Sequence, residues 1–134
     1  MITVSTSINE NLEKVWDFWN NPKHIVHWYF AGDDWHCPKA ENDLQVDGKF
    51  KYRMEAKDSS MGFDFEAVYT KITDFKLIEY IMSDNRKVII SFEKLENSIL
   101  ITEKFDAENE NPIEMQQQGW QMILNNFKEY VEKN

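Results

Sequence analysis

Glu103 is the residue of this sequence with the clearest potential for chemistry. The surrounding segment, ILITEKF, alternates so that Ile99, Ile101 and Phe105 share one face of a strand. The same alternation places Glu103 on that apolar face, where an unpartnered carboxylate costs several kcal/mol or takes up a proton. We therefore weigh two interpretations. In the first, Glu103 anchors a ligand hydroxyl or amine and has the properties of a general acid. In the second, Glu103 lies at the rim of the sheet, or a local bulge turns it to solvent.

Large and partly polar side chains share this interior. In the segment GKFKYRMEAKDSSMGFDFEAVYTK, residues 48–71, aromatic residues and methionine alternate with charged residues on either side of a break at 58–62. A buried phenol needs a hydrogen-bond partner, and methionine adapts to varied shapes, so this face is typical of a ligand cavity as well as of a solid core. On the predicted strands the candidate ligand-binding residues are Phe50, Tyr52, Met54, Phe65, Tyr69, Tyr80, Ile90, Phe92 and Glu103.

A glycine interrupts the helical pattern near the C-terminus. Gly119 lies within a stripe that includes Gln116, Trp120 and Ile123, and glycine in a helix costs about 1 kcal/mol relative to alanine. Either the helix packs closely on the sheet at this point, which we favour slightly, or Gly119 leaves room for a ligand beside Trp120. In the second case Gln116 is expected to hydrogen-bond that ligand.

The three histidines and the single cysteine fall within residues 24–37. Their spacing matches no established zinc pattern, and no histidine or acid is placed to activate Cys37, so we expect neither a metal site nor a cysteine nucleophile. The sequence also lacks a phosphate-binding glycine loop and every common catalytic motif, so we expect no cofactor. Instead, this region is expected to close one end of a cavity, with Trp28, Tyr29, Phe30 and Trp35 as its walls.

The periodicity of the chain predicts the elements that position these residues. A first strand is followed by a helix from Leu12, which Asn20-Asn21-Pro22 ends, and by a short helical turn over 23–28. Residues 29–43 show no period and are predicted to form an irregular loop. The alternating segment of residues 48–71 comes next and is predicted to form a hairpin of two strands. Three strand-like segments follow, and then a long helix with Asn111 as N-cap and Pro112 at its first position.

These elements predict one α+β domain over residues 1–134. Six strands joined by short turns form a curved antiparallel sheet, and the long amphipathic C-terminal helix covers its apolar face. The chain has no repeat, linker or low-complexity tract that would indicate a second domain.

Composition excludes several classes of function. The net charge of −9 disfavours binding to nucleic acid and to anionic membrane surfaces. No apolar run is long enough to span a membrane, and the N-terminal residues do not resemble a signal peptide. One cysteine rules out an intramolecular disulfide, so a cytoplasmic location is expected.

Three stretches of the sequence resemble a known family: EKVWDFW, HWYFAGDDWHCPKAENDLQVDGKFKYRMEAKDSSMGFDFEAVY and FDAENENPIEMQQQGWQMILNNFKEYV. Together they resemble the activator-of-Hsp90-ATPase-like branch of the START-like (helix-grip, SRPBCC) superfamily, over nearly the whole chain. The resemblance implies a helix-grip, Bet v 1-like fold with a cavity between the sheet and the C-terminal helix. Members of the superfamily typically bind hydrophobic small molecules there, including lipids and polyketides, and a few are enzymes.

Three functions follow in order of preference. The first is binding of a hydrophobic or aromatic small molecule in the cavity, oriented by the tyrosines and Glu103. The second is a cyclase or hydrolase that uses Glu103 and a tyrosine as an acid–base pair. The third is stimulation of an Hsp90-type chaperone, ranked last because the name-giving branch works with an additional N-terminal domain that these residues do not contain. Either a monomer or a homodimer is compatible with the sequence.

Overall fold

A computed structural model describes all 134 residues of the chain. Seven antiparallel strands form one sheet in the order β1-β7-β6-β5-β4-β3-β2, with two short helices after β1 and one long helix at the C-terminus. The elements are β1 Ile2–Ile8, α1 Leu12–Asn20, α2 Pro22–Ile25, β2 Trp35–Asn42, β3 Lys49–Ala56, β4 Gly62–Thr73, β5 Leu77–Met82, β6 Lys87–Lys94, β7 Ile99–Phe105 and α3 Ile113–Lys133.

The inner face of the sheet follows the predicted alternation. Along β3, Phe50, Tyr52 and Met54 are buried, whereas Lys49 and Lys51 at the alternate positions are exposed. The same alternation continues along β5 and β6. This confirms the predicted α+β fold, in which one face of an antiparallel sheet is covered and the other faces water.

The sheet has one strand more than the six predicted. Trp35–Asn42, which we expected to be part of an irregular loop, pairs with β3 as the edge strand β2. Its register shifts between His36 and Lys39, around Pro38. A proline and a bulge are tolerated at a sheet edge, but together they remove the two-residue period by which a strand is recognised in a sequence.

Helix α3 lies along the opposite edge of the sheet. The Gln117 and Gln121 side chains donate hydrogen bonds to the backbone carbonyls of Thr3 and Ser5, both at 3.1 Å, and the Lys128 ammonium donates to that of Ser7. Edge strands expose unpaired backbone groups that can recruit another chain. Here the side chains of α3 satisfy these carbonyls of β1 and hold the helix at a defined position over the sheet.

Aromatic packing fixes the other end of α3. The Phe127 ring lies edge-on to the rings of Trp19 and Trp28, with centroid distances of 4.8 and 4.6 Å. The Asn126 side chain also donates a hydrogen bond of 2.6 Å to the Phe30 carbonyl. The C-terminal half of α3 is therefore held firmly by α1 and the segment after α2. None of the helices has the length and apolar character needed to cross a membrane.

Candidate functional site

A cavity of about 470 Å³ lies between the inner face of the sheet and the N-terminal half of α3. Its interior is mainly apolar and aromatic, and its mouth is polar. The predicted ligand-binding residues that line it are Trp35, Met54, Phe65, Glu103, Gln116, Gly119, Trp120 and Ile123. Ligand sites in proteins typically measure about 300–1,000 Å³, so this cavity has the size of a small-molecule site.

Most of the other predicted residues surround a separate pocket of only about 10 Å³. The Phe50 ring stacks on Tyr52 at 4.5 Å and meets the edge of Tyr80 at 4.9 Å, which leaves space for one water at most. This end of the interior is therefore a packed core. Its members from the predicted set are Trp28, Phe50, Tyr52, Tyr69, Tyr80 and Ile90.

Two of the predicted residues, Tyr69 and Phe92, make contacts that hold the core together. The Tyr69 hydroxyl donates a 2.5 Å hydrogen bond to Asn42 Oδ1, and the Asn42 amide donates to the Asn20 carbonyl at 2.7 Å, which ties β4 and β2 to α1. The Phe92 ring lies edge-on to Trp16 at 5.1 Å and lines neither the cavity nor the small pocket. Helix α1 covers that part of the sheet and leaves no room for a ligand.

Glu103 is buried at the floor of the cavity, with 5% of its surface exposed. Its register in β7 is regular, opposite Val4 of β1 and Ile90 of β6, so no bulge turns it to solvent. No hydrogen bond or ion pair of the protein reaches its carboxyl group. In this protein, however, every side-chain oxygen that is completely closed off from solvent has a hydrogen-bond partner. The carboxyl oxygens must therefore open onto the cavity, free to bind a guest.

Burial raises the pKa of Glu103 from 4.5 to about 8, because the low-polarity surroundings disfavour the carboxylate. The neighbouring Tyr29 and Tyr80 phenols have raised pKa values for the same reason, and the Glu103 charge adds to the effect in both. At neutral pH the floor of the cavity therefore carries a protonated carboxyl group beside two neutral phenols.

Gly119 faces open space. A Cβ atom added at this position would meet no atom within 4 Å, so the preferred interpretation, close packing of α3 on the sheet, was wrong. The glycine widens the cavity instead. Next to it, the Trp120 ring stacks on Phe105 at a centroid distance of 3.9 Å and forms part of the wall.

This geometry predicts that Gly119→Ala raises the free energy of unfolding by about 0.5–1 kcal/mol, because alanine restricts the unfolded chain more than glycine and meets no obstacle in the helix. Urea denaturation measures the change. As a matched control, Gly48→Ala should destabilise, since its Cβ would press on the carbonyls of Asp43 and Gln45. A destabilised Gly119→Ala variant would show that the space beside α3 is filled.

Gln116 reaches the cavity but has no free donor for a ligand. Its amide nitrogen donates to the carbonyls of Glu108 and Asn111, at 3.1 and 2.8 Å, and its oxygen accepts from the Glu108 backbone at 2.9 Å. The prediction of a ligand hydrogen bond from Gln116 was therefore wrong, because the loop before α3 uses its amide group.

Asn111 is not the N-cap of α3, as was predicted. Helix α3 begins at Ile113 with Pro112 at the N-cap, and the Asn111 amide donates to the Glu108 carboxylate.

Charged side chains surround the mouth of the cavity. Asp64 and Glu66 occupy charged positions between the aromatic residues of β4, yet the cavity opens at this end of β4 and both contribute to its rim. Asp84 and Arg86 reach it from the β5–β6 turn and Glu108 from the loop before α3. A turn residue carries no periodic pattern, so no sequence signal placed these three at the mouth.

Apolar walls were also missed. Trp19 of α1, Ala31 of the segment after α2, Phe63 of β4 and Met82 of β5 line the cavity together with Tyr29, which was predicted as a wall residue. Phe30, also predicted as a wall, does not line it. Their inward or helical positions were visible in the sequence for Trp19, Phe63 and Met82, so these three could have been included. Ala31 lies in an irregular segment, where only the tertiary fold sets its direction.

The histidines do not converge. The His24 ring stacks on Phe18 at 3.8 Å and its Nδ1 lies 2.9 Å from the Tyr130 hydroxyl, whereas His36 lies beside Glu55 on the outside of the sheet. No group of three or more histidine, cysteine or acidic side chains has the geometry of a metal site. Burial raises the pKa of Cys37 to about 11, which keeps the thiol protonated and unreactive.

A curved antiparallel sheet with a cavity beneath a long C-terminal helix defines a protein of the helix-grip class. A family model described as activator of Hsp90 ATPase homolog 1-like protein matches residues 9–132. The chain belongs to this family, as the sequence resemblance indicated.

Solved structures show the same relationship. A solution structure of an AHSA1-like protein from Aeromonas hydrophila is 39% identical, with a TM-score of 0.90 over 98% of this chain and 92% of that one. A solution structure from Cytophaga hutchinsonii is 49% identical, with a TM-score of 0.86 over 99% and 92% of the two chains. A crystal structure from Chromobacterium violaceum, 20% identical with a TM-score of 0.84 over 98% and 99%, shares the fold. A search of curated proteins finds no match.

Proposed function

We propose that this protein binds a hydrophobic or aromatic small molecule in the cavity between the sheet and α3. The observation that carries the proposal is the open space beside Gly119, where the helix accepts the cost of a glycine without any packing contact in return. Rings of Trp120, Phe65 and Tyr29 line the space, and Glu103 supplies one unpartnered polar group at its floor. An apolar enclosure with few polar anchors is typical of ligand sites.

The proposal predicts that the protein binds the neutral fluorophore N-phenyl-1-naphthylamine at a single site. Its emission should rise on binding, because the fluorophore moves from water into an apolar enclosure, and tryptophan emission should fall as Trp120 comes into contact with it. Fluorescence titration, with stoichiometry from calorimetry, measures both changes. Binding without saturation, or no response from the tryptophans, would contradict the proposal.

General acid catalysis in the same cavity is a second candidate function. It is favoured by one observation: a buried carboxyl group with a pKa of about 8 lies beside the Tyr29 and Tyr80 phenols. Such a pKa suits proton transfer near neutral pH. A metabolite extract incubated with the protein would lose a compound in the presence of the native chain and keep it with Glu103→Gln. A carrier without catalysis would leave the extract unchanged in both cases.

A further inference from the structure

We infer that the natural ligand of this cavity is a cationic amphiphile, an aromatic or apolar body bearing a protonated amine that pairs with the Glu103 carboxylate. The inference rests on the proposed binding function and names the class of molecule that the site selects. Three features of the structure carry it: the isolated carboxyl group at the floor, the balance of charge at the mouth and the aromatic walls between them.

The residue Glu103 is 95% buried. Its carboxyl group opens onto the cavity and has no partner inside the protein. Its neighbours across the sheet are the aliphatic side chains of Val4 and Ile90, so no cation of the fold neutralises it. A charged carboxylate at such a position is stable only when a cation pairs with it. The fold provides none, and a ligand ammonium would supply it.

The mouth of the cavity favours cations and repels anions. Arg86 is the only basic residue of the lining, and its Nε lies 2.7 Å from Asp84, which neutralises it. Asp64 is balanced by Lys51 and Arg53 on the outside of the sheet. Glu66 and Glu108 lack a cationic partner, so the rim carries uncompensated negative charge above the buried Glu103. Such a rim concentrates cations at the entrance.

Aromatic rings between the rim and the floor also suit a cation. Trp19, Tyr29 and Trp120 line the space, and the face of an aromatic ring attracts an ammonium group when water is excluded. The same rings bury the apolar body of the ligand. One enclosure therefore accommodates both parts of an aromatic amine.

Pairing with an amine requires Glu103 to lose its proton, so binding and proton release are coupled. The phenols of Tyr29, from the segment after α2, and of Tyr80, from β5, interact with the Glu103 charge. The phenols of Tyr52 and Tyr69, from β3 and β4, line the small pocket that Glu103 also borders. The pKa values of all four phenols are raised, so none titrates between pH 6 and 8. The cavity residues of α3 do not ionise, and the remaining charged groups of the lining are those of the rim: Asp64, Glu66, Asp84, Arg86 and Glu108.

Three probes with one ring system test the inference: naphthalen-1-ylmethanamine, naphthalen-1-ylmethanol and 1-naphthoate. By calorimetry at pH 8, we expect the amine to bind at least about tenfold more tightly than the alcohol, and the naphthoate to bind most weakly. From pH 7 to pH 6 the affinity for the amine should fall about tenfold, because one proton must leave Glu103, while the affinity for the alcohol stays constant. Titrations in two buffers of different ionisation enthalpy should show nearly one proton released per bound amine at pH 7.

Glu103→Gln should abolish the preference for the amine and its pH dependence while retaining binding of the alcohol. The matched control is Glu93→Gln, which removes one negative charge at an exposed position of β6 outside the cavity and should change neither. If the alcohol binds as tightly as the amine, the inference of a cationic ligand fails and the binding function stands. If none of the three probes binds, both fail together.

Discussion

Glu103→Gln should stabilise the protein, and the gain should grow as the pH rises from 5 to 9. The pKa of Glu103 is raised from 4.5 to about 8 by burial, and at about 1.4 kcal/mol per unit this shift corresponds to roughly 5 kcal/mol as an upper bound. Glutamine has nearly the same shape and never ionises. It therefore removes the cost of a buried charge while preserving the packing around β7.

The direction of the pH dependence follows from proton binding in the two states. Between pH 4.5 and 8 the folded protein retains the Glu103 proton that the unfolded chain loses, so the free energy of unfolding falls as the pH rises. This contribution is fully present below pH 4.5 and is lost above about pH 8. Glu103→Gln should therefore lie within about 1 kcal/mol of the native chain at pH 5 and exceed it by several kcal/mol at pH 9.

Urea denaturation at a series of pH values measures this difference, and the difference between two variants cancels the contributions of the other acidic residues. Glu93→Gln, at an exposed site, is the control and should show no such trend. If the difference in the free energy of unfolding between the native chain and Glu103→Gln does not change with pH, the Glu103 side chain reaches water. That result would also remove the basis for acid catalysis at this site.

Gly119→Phe should block the cavity. The new side chain would project into the space where an added Cβ meets nothing within 4 Å, and would occupy the position of the ligand beside Trp120. If the ligand loses about 100 Å² of buried apolar surface, at about 25 cal/mol per Å², its affinity falls by about 2.5 kcal/mol, or nearly a hundredfold. Titration with N-phenyl-1-naphthylamine measures the loss.

The matched control is Gly119→Ala, which adds one methyl group and should leave affinity within a few-fold of the native value. Thermal unfolding followed by circular dichroism shows whether Gly119→Phe retains the fold; we expect a melting temperature at or above that of the native chain, because the ring fills an apolar void. Undiminished binding to a folded Gly119→Phe variant would place the ligand site away from α3. It would leave the cavity without a function.

Local side-chain periodicity accounts for what the sequence alone could predict. The two-residue period of a strand identified the inner faces of β3, β5, β6 and β7. It also made an inward Glu103 one of two interpretations, and the regular register of β7 decided between them. The helical period likewise identified α1 and α3. These features depend on neighbours a few residues away, and for that reason they survive in the folded protein.

The location of the empty space could not be predicted in this way. Tyr52, Tyr80 and Phe50 have the same pattern as Met54 and Phe65 along the strands, yet the first three pack into a solid core and the other two line a cavity. The difference depends on where α3 lies above the curved sheet. Contacts that join distant parts of the chain set that position, including those of Gln117 and Gln121 with β1 and that of Asn126 with Phe30.

Competition for hydrogen bonds likewise was decided only in the tertiary structure. Gln116 has an amide group that could bind a ligand, but the backbone of residues 108–111 folds against it and uses that amide. The carboxyl group of Glu103, in contrast, receives no hydrogen bond from the protein and stays free. The amino-acid sequence determined which side chains point inward, because that depends on local backbone geometry. The tertiary structure determined which of them are left without partners, because volume and hydrogen-bond capacity are shared among segments far apart in the chain.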